Sequence, residues 1–233
     1  MSFILGGSIS ELLGGAAAIR AVDARFGTHS PERPTLFFEF HGSPASVAAD
    51  AAAAEAIAPL HGGDDFRWSL DQAERDRLWR ARHEVLFASL ATRPDCRALS
   101  TDVCVPRSRL AECVAAAESL LVGAPFPFVI IGHLGDGNFH AILLIDPEEP
   151  SEVAAAEGAA ERLTEIAIGF GGTSSGEHGI GLGKRAALVR EVGVEGVAVM
   201  RSIKRALDPL GILNPDKIFA PDGGRDGPDG LRV

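Results

Sequence analysis

The sequence has little cysteine. Cys96, Cys104 and Cys113 are its only three in 233 residues, an odd number with no CxxC spacing. That excludes a disulfide framework and a structural zinc knuckle, and it points to a reducing compartment, with the cytoplasm as the default. Basic residues are in deficit as well: 22 Lys and Arg stand against 32 Asp and Glu, a formal net charge of −10. Such a surface repels phosphate backbones and anionic lipid, so no nucleic-acid partner is expected. A membrane span is lacking too. The longest stretch without charged residues, Ser119 to Gly135, is interrupted by Pro125 and Pro127 and carries His133, so no transmembrane segment is expected. The opening MSFILGGSIS has no basic flank and does not read as a signal peptide. Finally, no glycine loop follows a strand and opens a helix in the manner of a nucleotide cradle, so a bound nucleotide cofactor has to come from elsewhere.

What is present is ordinary globular material, with 46% hydrophobic and 23% charged residues and length enough for one sizeable core or two small ones. Apolar residues at Ile9, Leu12, Leu13, Ala16, Ala17 and Ile19 predict a helix from Ile9 to Phe26. TLFFEFHG reads as a strand, and Ser43-Pro44 opens a second helix. FRWSL fits a short strand, Asp71 to Leu90 one long helix, and RALSTDVCVP a strand up to Pro106. Helical period returns from Ser108 to Val122. The apolar runs PFVIIGH and HAILLID, separated by LGDGNF, predict a hairpin. Another helix follows from Ser151 to Phe170, then the glycine-rich GGTSSGEHGIGLGK, then helical turns from Lys184 to Leu207 interrupted near Gly193. The expected fold is α+β, an antiparallel sheet covered by helices on one face.

Chemistry concentrates in two places. His133 and His140 flank the hairpin loop, and imidazoles facing each other across a ladder suit two nitrogens on one first-row metal at about 2.0–2.1 Å. Good turn chemistry with two polar neighbours is the plainer alternative. Glu177 and His178 lie inside the glycine-rich stretch, whose glycines suggest backbone brought close to something bound. Two histidines and a carboxylate form a usual catalytic metal set. Arg82, in LWRARHEVLFA, sits at the edge of an apolar stripe, where its guanidinium can fork onto a carboxylate of a substrate or of the protein.

Taken in order, PTLFFEFHG, LWRARH, LATRPDC, STDVCVPRSRL, GHLGDGNFHAILL, GTSSGEHGIGLGKR and LDPLGILNPDKIF resemble the C-terminal half of flavin-linked 2-hydroxyacid oxidoreductases of the vanillyl-alcohol-oxidase type. Within these the FAD-containing, cytochrome-linked D-lactate dehydrogenases are the nearest match. The resemblance implies a substrate- and metal-binding domain over residues 1–219 with ferredoxin-like elements, a flexible tail over 220–233, and an FAD-binding domain outside this chain. It places His133, His140 and Glu177 on a divalent metal, zinc or manganese, and makes His178 the general base next to the substrate hydroxyl. Arg82 becomes the anchor for the substrate carboxylate, and Asn214 falls in the segment that returns to the flavin. A chain without the FAD-binding domain or subunit is then expected to oxidise nothing alone.

Where the relatives that oxidise D-2-hydroxyglutarate have a lysine and an asparagine, this chain has Ser100 and Ile142. A small 2-hydroxy acid such as D-lactate is therefore the expected substrate. The electron acceptor would be a cytochrome or a quinone, which would hold an otherwise cytoplasmic protein at the periphery of the inner membrane. Asp216 stands where the family usually has glycine, and the ELLGG start departs from the family's more acidic one. A stand-alone metallohydrolase using the same ligands and an inert remnant that docks on a flavoprotein are the competing readings.

Overall fold

The computed structural model describes residues 9–27 and 31–220, so the expected tail lies, Ala220 apart, outside the described residues. The strands are β1 (Ile9–Gly14), β2 (Thr35–Glu39), β3 (Arg97–Ser100), β4 (Val103–Cys104), β5 (Phe128–His133) and β6 (Asn138–Ile145). The helices are α1 (Ala16–Phe26), α2 (Pro44–Ile57), α3 (Gln72–His83), α4 (Val85–Ala91), α5 (Leu110–Leu121), α6 (Pro150–Gly169) and α7 (Arg185–Leu207). Every pairing is antiparallel, in the order β2-β1-β5-β6-β3, with β4 also on β6. This is the expected mixed fold of helices on an open antiparallel sheet.

The helices cover both faces of the sheet rather than one. All eight residues of β6 are buried. Phe139, Ala141, Leu143 and Ile145 join Cys113, Ala117 and Leu121 of α5 and Leu163 and Ala167 of α6 in one core. Ile142 and Leu144 point the other way, to Ile19 and Val22 of α1 and Val85 and Ala88 of α4. The run HAILLI is thus apolar without alternation because the strand is buried on two sides. We expect Ile130→Val in the first core and Ile19→Val in the second each to cost about 0.5–1.5 kcal/mol in urea melts. The two losses should add within about 0.5 kcal/mol, because the side chains lie in separate clusters.

Ile9 to Gly14 is a strand, not the start of a helix. Leu12 and Leu13 are consecutive and both buried, one in each core, which a strand permits. A Cβ on Gly14 would lie 3.1 Å from the Ile130 carbonyl, so glycine lets β1 close on β5. FRWSL forms no strand; Trp68 and Leu70 are exposed and have no core to join. The long helix divides at Glu84 into α3, capped by the Asp71 carboxylate on the Glu74 N–H at 2.9 Å, and α4. RALSTDVCVP gives two strands, and the break falls on Thr101 and Asp102. The interruption of α7 is at Gly193, whose φ of 75° no helix accommodates.

Candidate metal centre

The hairpin register pairs His133 with Asn138 and Ile131 with His140. The two histidines are therefore diagonal neighbours on one face rather than directly opposed. That still brings their rings to 5.6 Å, edge to face. The face is the one that α1, α3 and α4 cover, and at the loop end of β5 and β6 the glycine-rich segment folds over it. Glu177 arrives with its Oε1 at 3.2 Å from His140 Nε2 and 3.5 Å from His133 Nε2. One ligand atom from each of the three lies within 4.8 Å of the others, so His133, His140 and Glu177 could hold a metal ion.

The tautomers of both imidazoles are set from behind. Nδ1 of His140 lies 2.9 Å from the Thr101 carbonyl, which can only accept, so Nδ1 carries the hydrogen and Nε2 offers its lone pair. Nδ1 of His133 lies 2.9 Å from Glu11 Oε1, with the same consequence. Burial holds the His140 imidazole below its ordinary pKa; the Thr101 contact and the charge of Asp102 oppose this, and His178 adds to it. Two nitrogen lone pairs and a carboxylate oxygen thus converge with no hydrogen between them, a donor set whose mutual repulsion a cation relieves. The chemistry of the donors fits a divalent metal.

Asp102 is the anchor of the glycine-rich segment. Its carboxylate is wholly buried and accepts the Ser175 hydroxyl at 2.8 Å, the His178 N–H at 2.9 Å and the Glu177 N–H at 3.2 Å. Lys184 Nζ donates to its backbone carbonyl at 2.7 Å and lies 3.4 Å from Oδ2. Burial alone would raise the Asp102 pKa, but the His178 N–H, the Ser175 hydroxyl, Lys184 and the Glu177 N–H together outweigh it and bring it to about 2. Burial in turn pushes the Lys184 ammonium down against the pull of Asp102. Gly176 packs against the Asn138 amide: a Cβ there would fall 2.5 Å from Asn138 Cγ, so a larger residue would have to push that side chain aside.

The remaining expected residues are placed as follows. His178 stacks on His140 with ring centres 5.0 Å apart, its Nε2 3.8 Å from Glu177 Oε1, and is half exposed. Arg82 is buried, and its guanidinium donates at 2.6 Å to Glu11 Oε2, so of the two carboxylates considered for it the structure supplies the protein's. Burial lowers the Arg82 pKa and Glu11 opposes that. The Nε of Arg82 is buried without a hydrogen-bond partner among the described residues. Asn214 is exposed in left-handed backbone, its carbonyl closing a turn to the Lys217 N–H, and none of its contacts joins the cluster. Its segment does return to the glycine-rich one, through Ile218 N–H to the Gly181 carbonyl at 2.7 Å.

Glu11, Thr101, Asp102 and Lys184 carry much of the arrangement, and sequence reasoning assigned none of them a role. The usable signal was an acidic residue beside apolar ones: Glu11 before Leu12 and Leu13, and Asp102 before Val103 and Cys104.

The family model described as FAD linked oxidases, C-terminal domain, matches residues 11–218. A probable mitochondrial D-lactate dehydrogenase of Danio rerio is 46% identical over 186 residues, 80% of this chain and 37% of that protein. A mitochondrial D-lactate dehydrogenase (cytochrome) of Arabidopsis thaliana is 37% identical over 203 residues, 87% of this chain and 36% of that one. The chain therefore spans little more than a third of the length of these relatives. Among solved structures, 4-ethylphenol oxidase from Gulosibacter chungangensis in its isoeugenol complex shares the fold, with a TM-score of 0.63 at 16% identity over 93% of this chain and 48% of that one.

Proposed function

Because the chain belongs to the FAD linked oxidases through their C-terminal domain, we propose that it is the substrate- and metal-binding part, residues 1–219, of an FAD-dependent dehydrogenase oxidising a D-2-hydroxy acid. D-lactate, giving pyruvate, is the substrate we favour. The observation that carries this reading is the convergence of His133 Nε2, His140 Nε2 and Glu177 Oε1, with both tautomers fixed from behind. A divalent ion, zinc or manganese, supplies Lewis-acid polarisation of the substrate hydroxyl when bound at such a set, and FAD supplies a two-electron acceptor.

The rest is the work of this chain's own residues. His178, half exposed with its Nε2 3.8 Å from Glu177 Oε1, takes the substrate's hydroxyl proton; a flavin held beside that carbon would accept the hydride. We assign Arg82 to the carboxylate end of the substrate, beside the Glu11 carboxylate that its guanidinium already meets. Ile142 and Ser100, paired across β3 and β6, give a second carboxylate no cation, which favours a small substrate over a dicarboxylate. The FAD-binding part of the enzyme docks against this domain. Leu182, Leu210, Ile212 and Leu213 are exposed around the segment that carries Asn214, an apolar surface suited to such a partner. The electron acceptor of such an enzyme would be a cytochrome or a quinone. No described helix is long and apolar enough to cross a membrane. We place the protein in the cytoplasm, at the inner-membrane surface where its acceptor requires it.

The test has two arms. The chain loaded with zinc or manganese and then dialysed should keep one ion by elemental analysis, and Glu177→Gln should keep none while its melting temperature stays within a few degrees. Joined to the FAD-binding part, D-lactate should bleach the flavin absorbance faster than D-2-hydroxyglutarate. Absence of a retained ion removes the metal; the reverse order of bleaching removes D-lactate.

A further inference from the structure

The buried carboxylate of Glu11 touches two groups at once. Oε2 accepts from the Arg82 guanidinium at 2.6 Å, and Oε1 faces His133 Nδ1 at 2.9 Å. Glu11 lies directly across from His133 in the β1–β5 ladder, on the face that α3 covers. Both side chains of the ion pair are almost wholly withdrawn from solvent, 12% exposed for Glu11 and 5% for Arg82. A charge pair in that position adds little net stability over a well-packed apolar pair of the same size, so its presence calls for another explanation.

We propose that Glu11 is a positioning residue that locks His133 with Nε2 toward the ligand cluster and ties that ligand to Arg82. The inference rests on reading His133, His140 and Glu177 as a metal site. Carboxylate is the group the position demands. It accepts from both partners, one on each oxygen; an amide has a single acceptor oxygen, and its NH2 would meet a donor on the other side. Arg82 holds the other carboxylate oxygen at 2.6 Å, and rotation of the imidazole would break the Nδ1 contact. The chain Arg82–Glu11–His133–Glu177 thus makes the geometry of one metal ligand depend on the cation proposed to meet the substrate. His140 has its own support, the Thr101 carbonyl, and does not share this dependence.

The test titrates the chain with zinc alone and records 15N histidine spectra without metal. Wild type should bind one ion and show His133 as a single Nδ1–H tautomer. Glu11→Gln should bind zinc about 10–100-fold more weakly, with His133 in mixed tautomers and His140 unchanged. Since Glu11→Gln leaves Arg82 buried without its counter-charge, the double variant Glu11→Gln/Arg82→Met is measured beside it; circular dichroism should show it folded, with the same weak affinity. Unchanged zinc affinity and an unchanged His133 spectrum in either folded variant would overturn the proposal. If wild type binds no zinc, the metal reading fails, whereas the His133 spectrum still decides whether Glu11 sets the tautomer.

Discussion

Asp102→Ala should collapse the glycine-rich segment and destabilise the chain by about 3–5 kcal/mol, the range for removing one partner of a buried, hydrogen-bonded charge. Four donors lose their common acceptor: the Ser175 hydroxyl, the N–H groups of Glu177 and His178, and Lys184. The consequence for the site is larger than for the fold, because the two N–H groups belong to the residues proposed as metal ligand and base. Zinc binding should be lost even where the variant is kept folded at low temperature. Asp102→Asn separates charge from shape. It keeps one acceptor oxygen but turns an NH2 toward backbone N–H donors, so it should lie between alanine and wild type in urea midpoint.

The same network has a pH signature. A carboxyl whose folded pKa is depressed contributes stability above its unfolded value, and that contribution is lost as pH falls through the folded one. For Asp102 the window runs from 3.8 down to about 2, nearly two units and so on the order of 2 kcal/mol. The stability gap between wild type and Asp102→Asn should therefore be constant from pH 7 to about 5 and shrink by that amount toward pH 2. A gap that does not narrow would mean that the ionised carboxylate is not what holds the segment.

The sequence was most informative where one local rule governed the outcome. The hairpin over PFVIIGHLGDGNFHAILLID needed only two apolar runs and a turn, and the structure closes it at Leu134 to Gly137. The residues proposed as ligands stood out because histidine and glutamate are conspicuous among glycines. Long-range facts were harder to read. Ile9 to Gly14 satisfies a helical count of apolar residues as well as a strand, and only its place between β2 and β5 decides. That helices lie on both faces was written in the unbroken HAILLI, but a buried helix can carry the same run. Glu11 and Asp102 meet His133 and Glu177 from 122 and 75 residues away. Their neighbourhoods mark them only as acidic residues beside apolar ones and do not say which partners they meet. Arg82 shows the converse: its position on the helix was legible, whereas the carboxylate that occupies it was not.

His140→Ala should abolish metal retention more completely than any change behind the ligands. An apparent binding free energy of about 10–16 kcal/mol for structural zinc, spread over four ligands, assigns about 2.5–4 kcal/mol to each. Loss of one then weakens binding by a factor of about 10²–10³, against about 10–100-fold for Glu11→Gln. His140 is also the ligand with the least freedom to be replaced. It is buried, its Nδ1 is held by Thr101, and His178 stacks on its outer face. Alanine leaves a cavity at the junction of β4, β6 and the glycine-rich segment, so His140→Gln serves as the control of similar length. Gln should restore much of the melting temperature without restoring zinc, because a neutral amide is a poor substitute for an imidazole lone pair. In the FAD-loaded enzyme, substrate turnover should fall with the metal in both variants. If His140→Gln turned over D-lactate at the wild-type rate without a bound ion, the His–His–Glu set would be a structural cluster, and proton removal would rest on His178 alone.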